Sequence, residues 1–229
     1  MIILEKQPDE KASVYARRVI LQNIVELELL PGSSISENEL SAQLSLSRTP
    51  IREALIEMEK LGLVEIVPQK GSYVTKIEYD RIEDAKFIRL SLETSVVKLA
   101  CEQGISERHL KKLRENIERQ RSYAQHPSSK YNMTDLDNIF HQLLFCAVQK
   151  ERVYEFLKLQ MVHFDRLRNL SYQTLKTAKL ERALRDHENI LYALERKDSE
   201  LAGMVMKVHL TRHQIEKKEL EEFCPEYFV

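Results

Sequence analysis

Two sets of side chains are spaced for chemistry. Arg48 and Arg52 stand one turn apart, opposite a helical apolar stripe of Ile51, Ala54, Leu55 and Met58. Guanidiniums aimed outward from the first turns of a helix can fork onto guanine edges or pair with phosphates. The second set lies far downstream, where Asp137 and His141, four apart, can grip one metal ion. His187 falls within the stripe Leu180, Ala183, Leu184, Ile190, Leu191 and Leu194, so it points inward. His209 lies beside the apolar face of Leu201, Met204, Val205, Val208 and Ile215, and is preferred as a ligand to His213, further round. Such a set could hold Zn²⁺, Ni²⁺ or Mn²⁺ with positions left for water or a ligand, although on spacing alone it is more often a hydrogen-bonded polar core. Arg89 and Glu93 also sit on an apolar face, among Ile82, Ala85, Leu92, Val96 and Ala100. Either they pair internally, or Arg89 faces a cavity and pairs with a ligand carboxylate.

The elements around the arginines are specific. Ser36-Glu37-Asn38-Glu39 is a capping box opening a short helix through Leu44, and Leu46-Ser47 makes the turn to the next. Ser47 and Thr49 can each cap that second helix, and Pro50 suits its first turn. Residues 62–67 read as a strand, Pro68-Gln69-Lys70-Gly71 as a turn and residues 72–75 as a returning strand. Caps and arginines alone would fit an ordinary helical hairpin. The added hairpin makes a winged helix-turn-helix, and the combination points to DNA. Bulk charge plays no part in this reading: net charge is −1, and residues 1–77 hold nine Lys and Arg against eleven Asp and Glu. Affinity for a duplex then leans on a dimer doubling a few well-placed contacts.

From Tyr79 onward the pattern is helix after helix, expected over about 80–103, 106–125, 132–149, 151–172, 176–197 and 198–221, with a loop at 126–129. The fold class is therefore mainly α: a winged helix-turn-helix domain over 1–78, with 1–11 a flexible arm, followed by an all-α helical bundle over 79–229. Cys101, Cys146 and Cys224 are odd in number and lack metal spacing, which reads as reduced core thiols. No apolar run is long enough for a membrane span, and a cytoplasmic location is expected.

These motifs carry a family resemblance. Leu30-Pro31-Gly32, Ile35-Ser36-Glu37, Ser47-Arg48-Thr49-Pro50-Ile51-Arg52-Glu53-Ala54-Leu55 and Gly71 ahead of Tyr73-Val74 resemble GntR-superfamily transcription regulators. Residues 89–93 and 137–141, with His187 and His209, resemble the FadR-type branch with an FCD C-terminal domain. The resemblance spans about residues 13–215.

It implies that Ser47, Arg48, Thr49 and Arg52 meet bases and phosphates in the major groove, and that Lys70 and Gly71 of the wing reach the adjacent minor groove or backbone. Relatives often carry a further DNA-contacting arginine where this chain has Asn38, so an operator preference does not transfer. The resemblance also implies a divalent metal held by Asp137, His141, His187 and His209, and a small organic acid meeting Arg89 and Glu93. The expected function is a dimeric repressor of a palindromic operator, released by that acid. A regulator sensing the metal itself is the alternative. A metal-dependent hydrolase with an accessory DNA-binding domain is the competing class, but there is no His-Glu-x-x-His motif, nucleophile with an evident base or phosphate-cradling glycine loop.

Overall fold

The computed structural model describes residues 1–126, 132–211 and 213–229, apart from the side chains of 175–179 and 213–216. They form two compact units, Met1–Tyr79 with Leu220–Val229, and Asp80–Glu219.

In the first unit, α1 (Ala12–Val25) is followed by β1 (Ser34–Ile35), α2 (Glu37–Leu44), α3 (Arg48–Lys60), β2 (Val64–Val67) and β3 (Gly71–Val74). Helix α1 packs on α3, burying Ala16, Val19 and Ile20 together with the foreseen stripe Ile51, Ala54, Leu55 and Met58. The Ser36 hydroxyl accepts from the Glu39 amide at 3.3 Å, so one half of the capping box is formed. Ser47 occupies the N-cap of α3 in an extended conformation. The strands form an antiparallel sheet in the order β1-β3-β2, with Ser34 opposite Tyr73 and Val64 opposite Val74. Strand β1 was not expected, because two residues are too few to display alternation.

Strand β2 begins at Val64 rather than 62. Gly62 (φ 70°) and Leu63 close α3 instead, donating to the carbonyls of Glu59 at 2.8 Å and Met58 at 2.9 Å. That is a Schellman motif, whose left-handed position favours glycine. The Leu30-Pro31-Gly32 turn likewise places Gly32 at φ 80°, with the Ser33 amide 3.0 Å from the Leu30 carbonyl.

Both ends of the chain depart from expectation. Residues 1–11, read as a flexible arm, lie along α1: Asn23 exchanges hydrogen bonds with the Ile2 backbone at 2.6 and 2.8 Å, Tyr15 donates to the Leu4 carbonyl and Arg18 pairs with Glu10. These partners are mostly backbone groups, which leave no periodic trace in sequence. The tail, assigned on sequence to the helical domain, packs with the N-terminal unit. The Ile77 amide donates to the Tyr227 carbonyl at 2.8 Å, the Val229 amide returns to Ile77, and the Phe228 ring stacks on Tyr79 at 5.3 Å and 7°.

The second unit is built from α4 (Tyr79–Gln103), α5 (Glu107–Gln125), α6 (Met133–Ala147), α7 (Glu151–Gln160), α8 (Val162–Glu195), α9 (Ser199–Thr211) and the part of α10 (His213–Phe223) that precedes Leu220. Its core gathers Val97, Leu113, Ile117, Leu136, Phe140, Leu144, Ile190, Leu194, Ala202 and Met206. The helix expected over 151–172 is interrupted at Met161, and α8 then runs without interruption through 173–175, where the sequence suggested a gap. No Gly or Pro stands there to stop it, and the Thr174 hydroxyl bonds back to the Leu170 carbonyl at 2.6 Å. The helix expected over 198–221 is described as α9 and α10, on either side of residue 212, which lies outside the described residues. Of the expected loop at 126–129 only His126 is described; residues 127–129 lie outside the described residues. No helix, among the described residues, is long and apolar enough to cross a membrane. The cysteines are free thiols, with Cys101 and Cys224 buried.

Candidate nucleic-acid interface and metal centre

The winged helix presents its candidate DNA contacts to solvent. Asn38 of α2, Ser47, Arg48, Thr49 and Arg52 at the start of α3, and Lys70 and Gly71 at the wing tip are all exposed. The apolar stripe turns α3 inward against α1, which leaves the arginine side outward. Arg52 is held from α2: its Nε lies 2.9 and 3.1 Å from the two carboxylate oxygens of Glu37. The wing is supported by the Tyr73 hydroxyl, which donates to the Lys70 carbonyl at 3.3 Å.

In the helical unit three helices bring four donors together. Asp137 and His141 come from α6, His187 from α8 and His209 from α9, and one ligand atom from each lies within 4.8 Å of all the others. Nε2 of His141 is 3.2 Å from Nε2 of His209; the Asp137 oxygens stand 3.6, 3.4 and 3.8 Å from Nε2 of His141, His187 and His209. Four donors at about 2.1 Å from one tetrahedral ion would be about 3.4 Å apart. The four separations from 3.2 to 3.8 Å are close to that size, and the whole set lies within 4.8 Å. The side chain of His213 lies outside the described residues.

The outer faces of the rings are equally ordered. Nδ1 of His141 meets Glu93 of α4, Nδ1 of His187 lies 2.7 Å from Gln120 Oε1 of α5, and Nδ1 of His209 lies 3.4 Å from Asp186 Oδ2. A metal-bound histidine is oriented in this way by an acceptor behind it. With the Nδ1 protons turned outward, the Nε2 lone pairs converge on one another and on a carboxylate. Nε2 of His187 is buried and has no hydrogen-bond partner among the described residues. A divalent cation would resolve that convergence of lone pairs, so the residues fit one.

Electrostatics favour the same protonation states. Burial alone would raise the Asp137 carboxyl, but the Arg168 guanidinium holds it well below the usual carboxylate range. Burial opposes ionisation of Glu93 too, yet Arg89 and His141 outweigh it and hold the carboxyl at about 2. Burial pushes His141 down from the usual imidazole value and His187 well below it. Charged carboxylates beside neutral imidazoles are the forms that ligate metal.

Arg89 is committed to Glu93, Nε to Oε1 at 2.5 Å, with its guanidinium 5.3 Å over the Phe164 ring. Arg168 bridges Asp137 and Asp165. A cavity of about 10 Å³ adjoins these groups, lined in part by Arg89, Asn138, His141, Tyr154 and Met161. That volume is about one water. Sequence reasoning missed Gln120 and Asp186. Gln120 shares the inward face of α5 with Leu113 and Ile117, so a polar residue on an apolar stripe was the available signal; Asp186 adjoins His187 but was masked by the surrounding charges.

Comparison with known proteins agrees with this architecture. Residues 12–74 match the bacterial regulatory proteins of the gntR family, and residues 86–212 match the FCD domain. The HTH-type transcriptional repressor RspR of Escherichia coli (strain K12) is 30% identical over 203 residues, covering 89% of this chain and 87% of the repressor. The Nta operon transcriptional regulator of Aminobacter aminovorans is 31% identical over 189 residues, covering 82% and 86%. The solved structure of E. coli McbR/YncC superposes with a TM-score of 0.76 at 19% identity, covering 93% of this chain and 99% of that one. These relatives are transcription regulators, not enzymes. The chain belongs to the GntR family of DNA-binding transcription regulators, with a winged helix-turn-helix followed by an FCD domain.

Proposed function

We propose that this protein is a dimeric repressor whose helical domain holds a divalent ion and, on it, a small carboxylate that releases the operator. The observation carrying the metal is the arrangement of the imidazoles: each Nδ1 faces a side-chain acceptor, and each Nε2 turns toward Asp137. The ion would supply a Lewis-acidic point for a carboxylate oxygen. Around it, Glu93, Gln120 and Asp186 orient the rings, while Arg168 keeps Asp137 charged. The repressor sign rests on the relative RspR, named a repressor. Arg48, Thr49 and Arg52, with Ser47 and Asn38 beside them, read the major groove, and Lys70 and Gly71 extend the contact along the wing. Two copies on a palindrome double these contacts, which suits a unit without excess basic charge.

The water-sized cavity beside His141 favours a second reading, in which the ion alone is the signal. Linkage separates the two, because an effector that weakens DNA binding must bind the DNA-free form more tightly by the same factor. Duplexes selected by the protein from a random pool should be palindromic. Their affinity, measured for zinc-loaded and metal-stripped protein against a panel of small carboxylic acids, decides the effector. Release by an acid only in the loaded protein supports the first reading. Release by zinc alone supports the second, and insensitivity to both contradicts each.

A further inference from the structure

Helix α5 supplies none of the four candidate ligands, yet it buries two primary amides one turn apart, Asn116 and Gln120. Burying an amide is costly unless its hydrogen bonds are satisfied. Here they form a directed series. The Leu136 carbonyl, next in sequence to Asp137, can only accept, so the Asn116 amide nitrogen faces it at 3.1 Å. Asn116 Oδ1 is thereby turned to accept from Gln120 Nε2 at 2.6 Å. Gln120 Oε1 is left to face His187 Nδ1 at 2.7 Å. An amide oxygen has no proton to give, so Nδ1 of His187 must carry one. Its Nε2 is then the lone-pair nitrogen, directed at Asp137 Oδ1 3.4 Å away.

We propose that Asn116 and Gln120 are positioning residues that lock His187 in its metal-binding tautomer, with the backbone of α6 as anchor. The inference rests on the metal reading above. His141 and His209 are backed by the carboxylates of Glu93 and Asp186, which accept through either oxygen and need no anchor. Gln120 is a neutral amide that can present either end, and Asn116 prevents it from turning. Asn116 therefore acts on the ion through two intervening side chains and touches neither the ion nor a ligand.

The test is a double-mutant cycle on the full-length protein, stripped of metal and titrated with Zn²⁺ against a chromophoric chelator. Thermal unfolding of each stripped variant verifies the fold. Asn116→Leu should weaken Zn²⁺ binding about 10- to 100-fold, the usual effect of losing an outer-shell partner. In a Gln120→Glu background, where both oxygens accept and orientation no longer matters, Asn116→Leu should have little effect. Equal affinity for wild type and Asn116→Leu would overturn the proposal. So would an equal loss in both backgrounds, which would make Asn116 a packing residue only. If Asn116→Leu fails to fold, Gln120→Leu against Gln120→Glu replaces it: weak binding by the first with tight binding by the second supports the relay, and equal binding overturns it. A wild-type protein that takes up no Zn²⁺ removes the metal reading and this one together, whereas the other adverse outcomes leave the metal in place.

Discussion

Nε2 of His141 lies 3.2 Å from Nε2 of His209, while the opposite nitrogens of the two rings face Glu93 and Asp186. Two lone pairs so close together are stable only with a cation between them or a proton on one. Zn²⁺ should therefore raise the thermal stability of metal-stripped protein, by about 2.7 kcal/mol at an ion concentration of 100 Kd. Differential scanning at several zinc concentrations measures it, and a Tm that does not move with zinc contradicts the site.

The same burial gives a pH dependence to the metal-stripped protein. His141 and His187 are held below the ordinary value of 6.5, so in acid the unfolded chain binds more protons than the folded one. Stability should then fall as pH drops through that range. Glu93, held at about 2 against an ordinary 4.5, adds a loss of the same sign between those values. Urea unfolding midpoints that stay level from about pH 7 to about pH 5 would contradict this.

Arg52 stands exposed on α3 and braced by Glu37. Replacing it with alanine should lower affinity for a selected operator, with about 1 to 3 kcal/mol lost in discrimination between sites, and reduce the salt slope if it also meets a phosphate. The fold should be unaffected. Fluorescence anisotropy over a salt series tests this; unchanged affinity and slope would remove Arg52 from the reading surface.

Phe228 is buried and stacked on Tyr79, with backbone bonds on either side of it to Ile77. Phe228→Ala should destabilise the N-terminal unit by about 1.5 to 3 kcal/mol, the value of one buried aromatic side chain. A Tm equal to that of wild type would mean that the tail contributes nothing to that unit.

The winged helix was legible because its signals are local. A stripe on α3, a capping box at Ser36 and a hairpin around Gly71 each declare themselves within a few residues. The clustering of Asp137, His141, His187 and His209 was legible in a weaker way: inward-facing polar residues on three helices, united by a resemblance rather than by spacing. What sequence did not convey was long-range and polar. Gln120 meets His187 from another helix, Asn23 clasps the backbone of Ile2, and Phe228 returns to Ile77 across most of the chain. Periodicity records which face is buried, not which buried group answers another. Arg89 shows the limit well, since its apolar stripe fitted both a cavity wall and an internal pair with Glu93, and the structure has it in both places.

Metal content is the most direct readout of the cluster of Asp137, His141, His187 and His209. Protein purified after zinc, nickel and manganese loading should hold about one ion per chain by elemental analysis. His187→Ala and Asp137→Ala should lose it while keeping their helical circular dichroism. Wild-type protein that carries no ion under any loading, or variants that retain it in full, would contradict the assignment and make these four residues a hydrogen-bonded core.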